Sequence, residues 1–259
     1  MIRVGINLAL ACIVAPNALA AWPQSENAES PVPERADRRV DESFFLRTSV
    51  GANVLASVPL ESRSGPAGTI SNMKIDFDTG IAWSLDLGWQ ASDLLSFEFS
   101  TGIMYNDIDS ASGTIEIASP SFEVLSGSIP LGGDVLQVPL MLGLGIDLPI
   151  LEEAPLAGDA AMRLRFGVAG GGVFVRGALD DLGPLQGDED TDMTWAMALS
   201  AALEWEWSER NGPSSYSLGI TYRFVGTGSS SFDAFGIPGL IESKHAYNHQ
   251  VMGTLGIRF

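Results

Sequence analysis

From Met73 to Trp89 the chain alternates between apolar and polar residues without a break. Met73, Ile75, Phe77, Thr79, Ile81, Trp83, Leu85, Leu87 and Trp89 share one parity; Lys74, Asp76, Asp78, Ser84, Asp86 and Gln90 share the other. Successive side chains of a strand point to opposite faces, so the pattern predicts one strand, apolar on one side and charged on the other. It is longer than an ordinary strand of about 5–6 residues. It suits a tilted transmembrane strand, which needs roughly 9–11 residues within the hydrocarbon. Slipping the register by one would place Lys74, Asp76, Asp78 and Asp86 in lipid. That costs up to about 2–4 kcal/mol for a midplane lysine, and less for each carboxylate.

Seven further segments repeat the alternation: residues 43–54, 95–105, 136–148, 162–168, 193–207, 216–224 and 247–259. Eight strands result. The connections after the second, fourth and sixth (Ala91 to Asp93, Pro149 to Asp159, Ser208 to Pro213) are shorter than those after the odd-numbered ones. Short turns on one side and long loops on the other are the habit of outer-membrane barrels. Within the longest loop, Thr114 to Ile117 and Phe122 to Leu125 alternate briefly, too short to cross the membrane, and predict a hairpin rising above it. Aromatic residues fall into two belts. Phe44, Trp89, Phe97, Trp205, Trp207, Tyr216 and Phe259 lie at the periplasmic rim, and Phe77, Tyr105, Trp195, Phe224 and Tyr247 at the outer one. Interfacial girdles of this kind are expected at both levels. The pattern predicts an all-β transmembrane fold, an eight-stranded antiparallel up-and-down β-barrel over residues 43–259.

The N-terminus supplies an address. Arg3, an apolar stretch from Leu8 to Val14 and the small-x-small Ala18-Leu19-Ala20 have the layout of a cleaved signal peptide over residues 1–20. Residues 21–42, with Pro23, Pro31, Pro33 and a mix of charges, have no apolar period and read as a flexible periplasmic lead-in. Cleavage after Ala20 removes the single cysteine, Cys12, and with it any disulfide or thiol chemistry. It leaves 13 basic residues against 32 acidic ones, a net charge of −19. Such acidity argues against nucleic acid, whose phosphates demand basic patches.

The chain resembles the small outer-membrane β-barrel family that includes the OmpA transmembrane domain and OmpW-like proteins. The resemblance lies in Val138-Pro139-Leu140-Met141-Leu142-Gly143, the Gly167 to Gly172 run, Leu218 to Phe224 and the terminal Val251 to Phe259. It implies that Val251, Leu255, Ile257 and Phe259 form the signal read by the barrel-assembly machinery, with outer-membrane lipid as the surrounding partner.

The interior of an eight-stranded barrel is just wide enough for side chains to fill it. The inward parity holds Arg47, Lys74, Arg163, Arg165, Arg223 and Arg258 against Asp76, Asp78, Asp86, Glu98, Asp147, Glu204 and Glu206. This near balance predicts paired charges plugging the lumen. Arg47, Asp86, Glu98, Arg163, Arg165, Glu204 and Arg258 form the network that could also serve as a gate, and Arg165 with Glu204 is the expected pair. Between Gly177 and Asp192 lie six carboxylates and no base, at spacings unlike an EF-hand loop, which reads as a solvated loop rather than a cation site.

Catalysis needs a base beside a nucleophile. Only His245 and His249 are available, and the His-x-Ser spacing of barrel deacylases fails because position 251 is Val. No catalytic residue, cofactor site or metal site is assigned. The expected role is structural or surface-binding through the external loops, toward a ligand the sequence does not name. A small channel for ions or polar solutes is the alternative, and a lipid-A-modifying enzyme a remote one.

Overall fold

The computed structural model describes residues 43–61, 63–65, 68–117, 123–151, 161–181, 187–208, 214–234 and 237–259. The expected signal peptide and lead-in lie outside these residues. The strands are β1 (Ser43–Leu55), β2 (Val58–Pro59), β3 (Arg63–Gly65), β4 (Gly68–Phe77), β5 (Gly80–Gln90), β6 (Leu95–Ile117) and β7 (Glu123–Pro130). They continue with β8 (Gly133–Leu151), β9 (Ala161–Leu179), β10 (Glu189–Ser208), β11 (Ser215–Thr227), β12 (Ser230–Ala234), β13 (Ile237–Ser243) and β14 (Ala246–Arg258).

Eight of them close a ring of antiparallel neighbours, β1-β5-β6-β8-β9-β10-β11-β14, with β14 pairing back to β1. Closure leaves no strand edge unpaired, the condition a sheet must meet inside hydrocarbon. Phe45 stands opposite Arg258, and the Phe259 amide donates to the Phe44 carbonyl at 2.9 Å, so both ends of the ring meet at one rim. Leu142, Leu144, Leu199, Leu218, Ile220, Val251 and Leu255 are exposed on the outside, where lipid covers them. Trp89 stacks on Phe97 at one rim, and Phe224 on Tyr247 at the other, each with ring centres 5.8 Å apart. Between β6 and β8 the ladder skips Gly102 and Ile103 opposite Val138 and Pro139, where proline offers no N–H.

The structure corrects the first strand read from the sequence. Met73 to Trp89 is two strands, β4 and β5, interrupted at Asp78 and Thr79. β4 pairs with the upper half of β6, and that ladder slips between Asp76 and Phe77, opposite Ser110 and Ile108, leaving Asp109 without a partner. A bulge of one residue exchanges the faces of everything beyond it. That bulge belongs to β6; β4 changes face at the Asp78–Thr79 break, so Ile75 is buried and Met73 and Phe77 pack inward with it, although the alternation had set all three toward lipid. Lys74 and Asp76 pair with each other at 3.1 Å on the exposed outside, and Asp78 is exposed too, so none of the three joins the lumen charges. Phe77 likewise leaves the outer aromatic belt for the interior.

The inversion is general above the rim. Within the membrane band β6 shows Phe97, Phe99, Ile103 and Tyr105 outward, and Ser96, Ser100 and Asn106 inward; higher up, Asp107 and Asp109 face out while Ile108 and Ala111 are buried. Lipid rewards an apolar exterior and a polar interior, whereas water rewards the reverse, so the exchange marks where the membrane ends. The upper half of β6 pairs with β7 from Ser110–Pro130 to Ile117–Glu123, which is the hairpin expected above the membrane. Phe122 lies outside the described residues.

Candidate functional site

The lumen is organised in layers, beginning at the rim that holds both chain ends. Phe45 is buried there, with the Arg47 guanidinium 4.1 Å and that of Arg165 5.0 Å from its ring centre. Arg165 donates through Nη1 to both carboxylate oxygens of Asp147, at 2.9 and 3.0 Å, and through Nη2 to Ser96 Oγ at 3.0 Å; it also pairs with Glu98. Arg47 Nε lies 3.2 Å from Glu204 Oε1, and Arg223 Nη2 lies 3.1 Å from Asp86 Oδ1. Nearest the rim, Glu206 takes Arg163 at 2.7 Å and Arg258 at 3.2 Å.

All seven residues named from the sequence as a charge network thus face the lumen and are ion-paired, but the partners differ. Arg165 does not pair with Glu204. Asp147 stands directly opposite Arg165 across the β8–β9 ladder, and Glu204 reaches Arg47 across the lumen. Phe45 was not foreseen: in Phe44-Phe45 the first ring takes the lipid side and the second the lumen. The available signal was Gly88, which stands opposite Phe45 on β5 and whose missing side chain leaves room for the ring.

Beyond the charges lie the fully buried Met141 and Met252, and Met104 packs in one cluster with Met141. Then comes a band of carboxamides. Asn53 Nδ2 donates to Asn106 Oδ1 at 2.5 Å and to Asn248 Oδ1 at 3.0 Å, and Asn248 Nδ2 donates to Gln137 Oε1 at 2.8 Å. These residues, from β1, β6, β14 and β8, link across the barrel through their side chains, with Asn53 Oδ1 left buried and without a partner.

Above the carboxamides the character changes. A cavity that opens to solvent is lined by Leu55, Val58, Ile75, Ile108, Val135 and Val175 among others, with Gln137 and Thr227 also on its wall. Phe232, on the β12–β13 hairpin, lines it as well and packs against the buried cluster around Val173 and Val175. Backbone bonds hold this hairpin to the β1–β4 connection: Glu61 N donates to the Glu242 carbonyl at 2.8 Å and Lys244 N to the Pro59 carbonyl at 3.2 Å. Ser231 N donates to Asp192 Oδ2 at 2.9 Å and ties it to β10.

Outside the barrel, above the membrane band, Arg176 bridges Glu189 at 2.6 Å and Asp134 at 3.5 Å. The Arg176 guanidinium holds the Glu189 carboxyl below its usual range, while burial pushes that of Asp134 up. Glu189 was counted within the solvated acidic loop. Residues 182–186 of that loop lie outside the described residues. Among the described residues no three acidic, histidine or cysteine side chains come close enough to hold a metal ion. His249 Nδ1 is 2.8 Å from the Tyr222 hydroxyl on the lipid side, and His245 lies over Trp195 with ring centres 6.1 Å apart.

No known family profile matches the chain, and no curated protein is significantly similar to it. Among solved structures the chain is similar to small outer-membrane barrels. Neisserial surface protein A is 12% identical over 84% of this chain and 97% of that one, with a TM-score of 0.42. OprG from Pseudomonas aeruginosa is 13% identical over 84% and 95%, also at 0.42. The outer membrane protease OmpT from Escherichia coli is 12% identical over 84% and 96%, at 0.37.

Proposed function

We propose that this chain is a surface-binding outer-membrane barrel with a closed lumen, and that its external chamber takes a small apolar molecule. The observation that carries the reading is the apolar lining of a solvent-connected cavity stacked on a polar, hydrogen-bonded floor. Pockets for small molecules are concave, mostly apolar and provided with a few polar groups, and this cavity has that make-up. A channel for ions or polar solutes would have to pass the carboxamides, the buried methionines and the paired charges. Breaking any of those pairs strands a buried charge. Both histidines are engaged with aromatic side chains outside the lumen, which supports binding over catalysis.

The test is equilibrium binding of an apolar fluorophore such as N-phenylnaphthylamine to the protein in lipid nanodiscs, measured above the signal of empty discs. Saturable binding that is displaced by short alkanes and lost in Val175→Arg supports the reading. A signal equal to empty discs, or unchanged in Val175→Arg, overturns it.

A further inference from the structure

The outward-facing positions at the outer rim divide into two arcs. From β6 to the start of β10 they carry four acids, Asp107, Asp109, Asp134 and Glu189, alongside Tyr105 and Phe174, and the one cation among them, Arg176, is already bridged to two of these carboxylates. Across the middle of β10, β11 and β14 they are aromatic. Phe224 stacks on Tyr247, and His249 stands between Phe224, 5.3 Å between ring centres, and the Tyr222 hydroxyl. Trp195 carries His245. Immediately before His245, Lys244 is exposed and has no ion-pair partner among the described residues; the nearest acid in sequence, Glu242, lies on the hairpin above. In a chain of net charge −18, no outward position of β11 or β14 is acidic.

We infer that this aromatic arc docks the phosphorylated sugar head of an outer-leaflet glycolipid. Interfacial aromatic rings sit at headgroup level, and their apolar faces suit the C–H faces of a sugar. Lysine binds phosphate as a point charge, and basic residues just outside the hydrocarbon attract anionic headgroups. The acidic arc repels the same headgroup, so charge alone directs the lipid to one side of the barrel. The proposal rests on placement in the outer membrane and is independent of what the chamber binds.

Diphosphorylated lipid A titrated into the folded, detergent-solubilised protein, with the bound fraction read by native mass spectrometry, tests it. Folding of each variant is checked by its heat-modifiable gel mobility. The Lys244→Ala/His245→Ala variant is expected to bind about five-fold less lipid at limiting concentration, and Trp195→Leu also less. Arg176→Ala, whose guanidinium is bridged to two carboxylates in the acidic arc, is expected to match the parent, and lipid A stripped of phosphate to bind the parent as weakly as the intact lipid binds the double variant. Equal binding by parent and double variant overturns the proposal. So does an equal loss in Arg176→Ala, which would mean attraction to positive charge anywhere on the surface.

Discussion

Phe45 and Gly88 face each other across the β1–β5 ladder, and the Phe45 ring occupies the space that a Cβ on Gly88 would need. The ring closes the barrel at the rim where both chain ends meet, and the guanidiniums of Arg47 and Arg165 lie against it. Overpacking such a site costs about 1–3 kcal/mol. Gly88→Ala is therefore expected to destabilise the folded barrel by that amount in urea titrations of the protein in lipid. In a Phe45→Ala background the same substitution should cost clearly less. Equal costs in the two backgrounds would show that the ring does not fill the space at Gly88.

Arg165 serves Asp147, Glu98 and Ser96 together. Arg165→Met leaves two carboxylates in the lumen without their cation, and breaking a buried pair in this way costs about 3–5 kcal/mol. Adding Asp147→Asn removes one of the stranded charges and is expected to recover part of the loss. Unfolding free energies of the parent, the two single variants and the double variant form the cycle that measures it.

On the extracellular sheet, the hydrogen bond from the Ser57 hydroxyl, with a smaller effect from Lys74, holds the Asp76 carboxyl below its usual range. A carboxyl whose pKa is lowered by folding adds stability above its unfolded pKa of about 3.9 and loses it as pH falls through the lowered folded value. Ser57→Ala is expected to move the Asp76 titration upward, toward the ordinary range, in a carboxyl-resolved NMR titration. An unmoved midpoint would remove the hydroxyl as the cause.

The exchange of character at the rim predicts opposite tolerances below and above it. Leu142, 72% exposed on the wall, faces lipid, and Leu142→Arg is expected to cost up to about 2–4 kcal/mol, the cost of an arginine at the bilayer midplane. Asp109→Arg, outward but above the band, should cost far less. Comparable costs at the two positions would contradict the placement of the membrane boundary.

The ring of eight strands was legible in the sequence because lipid outside and polar groups inside mark both faces of every spanning strand with period two. The rim was not. Alternation runs unbroken from Ile75 to Ile81, but the strand breaks between β4 and β5 and the ladder bulges at Asp109, so the same apolar parity changes its destination from lumen to lipid. The layers inside were only half legible. Arg165 and Glu204 could be placed in the lumen by parity, but the stagger between strands decides who meets whom, and that shear is not written in any one strand. For the same reason Asn53, Asn106, Asn248 and Gln137 read singly as inward polar residues and not as a connected floor.

A lumen closed beneath an externally open chamber is the feature on which the proposed binding role depends. Single-channel recording of the refolded protein in planar bilayers tests that most directly. The parent protein is expected to stay silent at moderate voltage. Steady ohmic steps that scale with salt concentration would contradict it and make the chamber the vestibule of a pore.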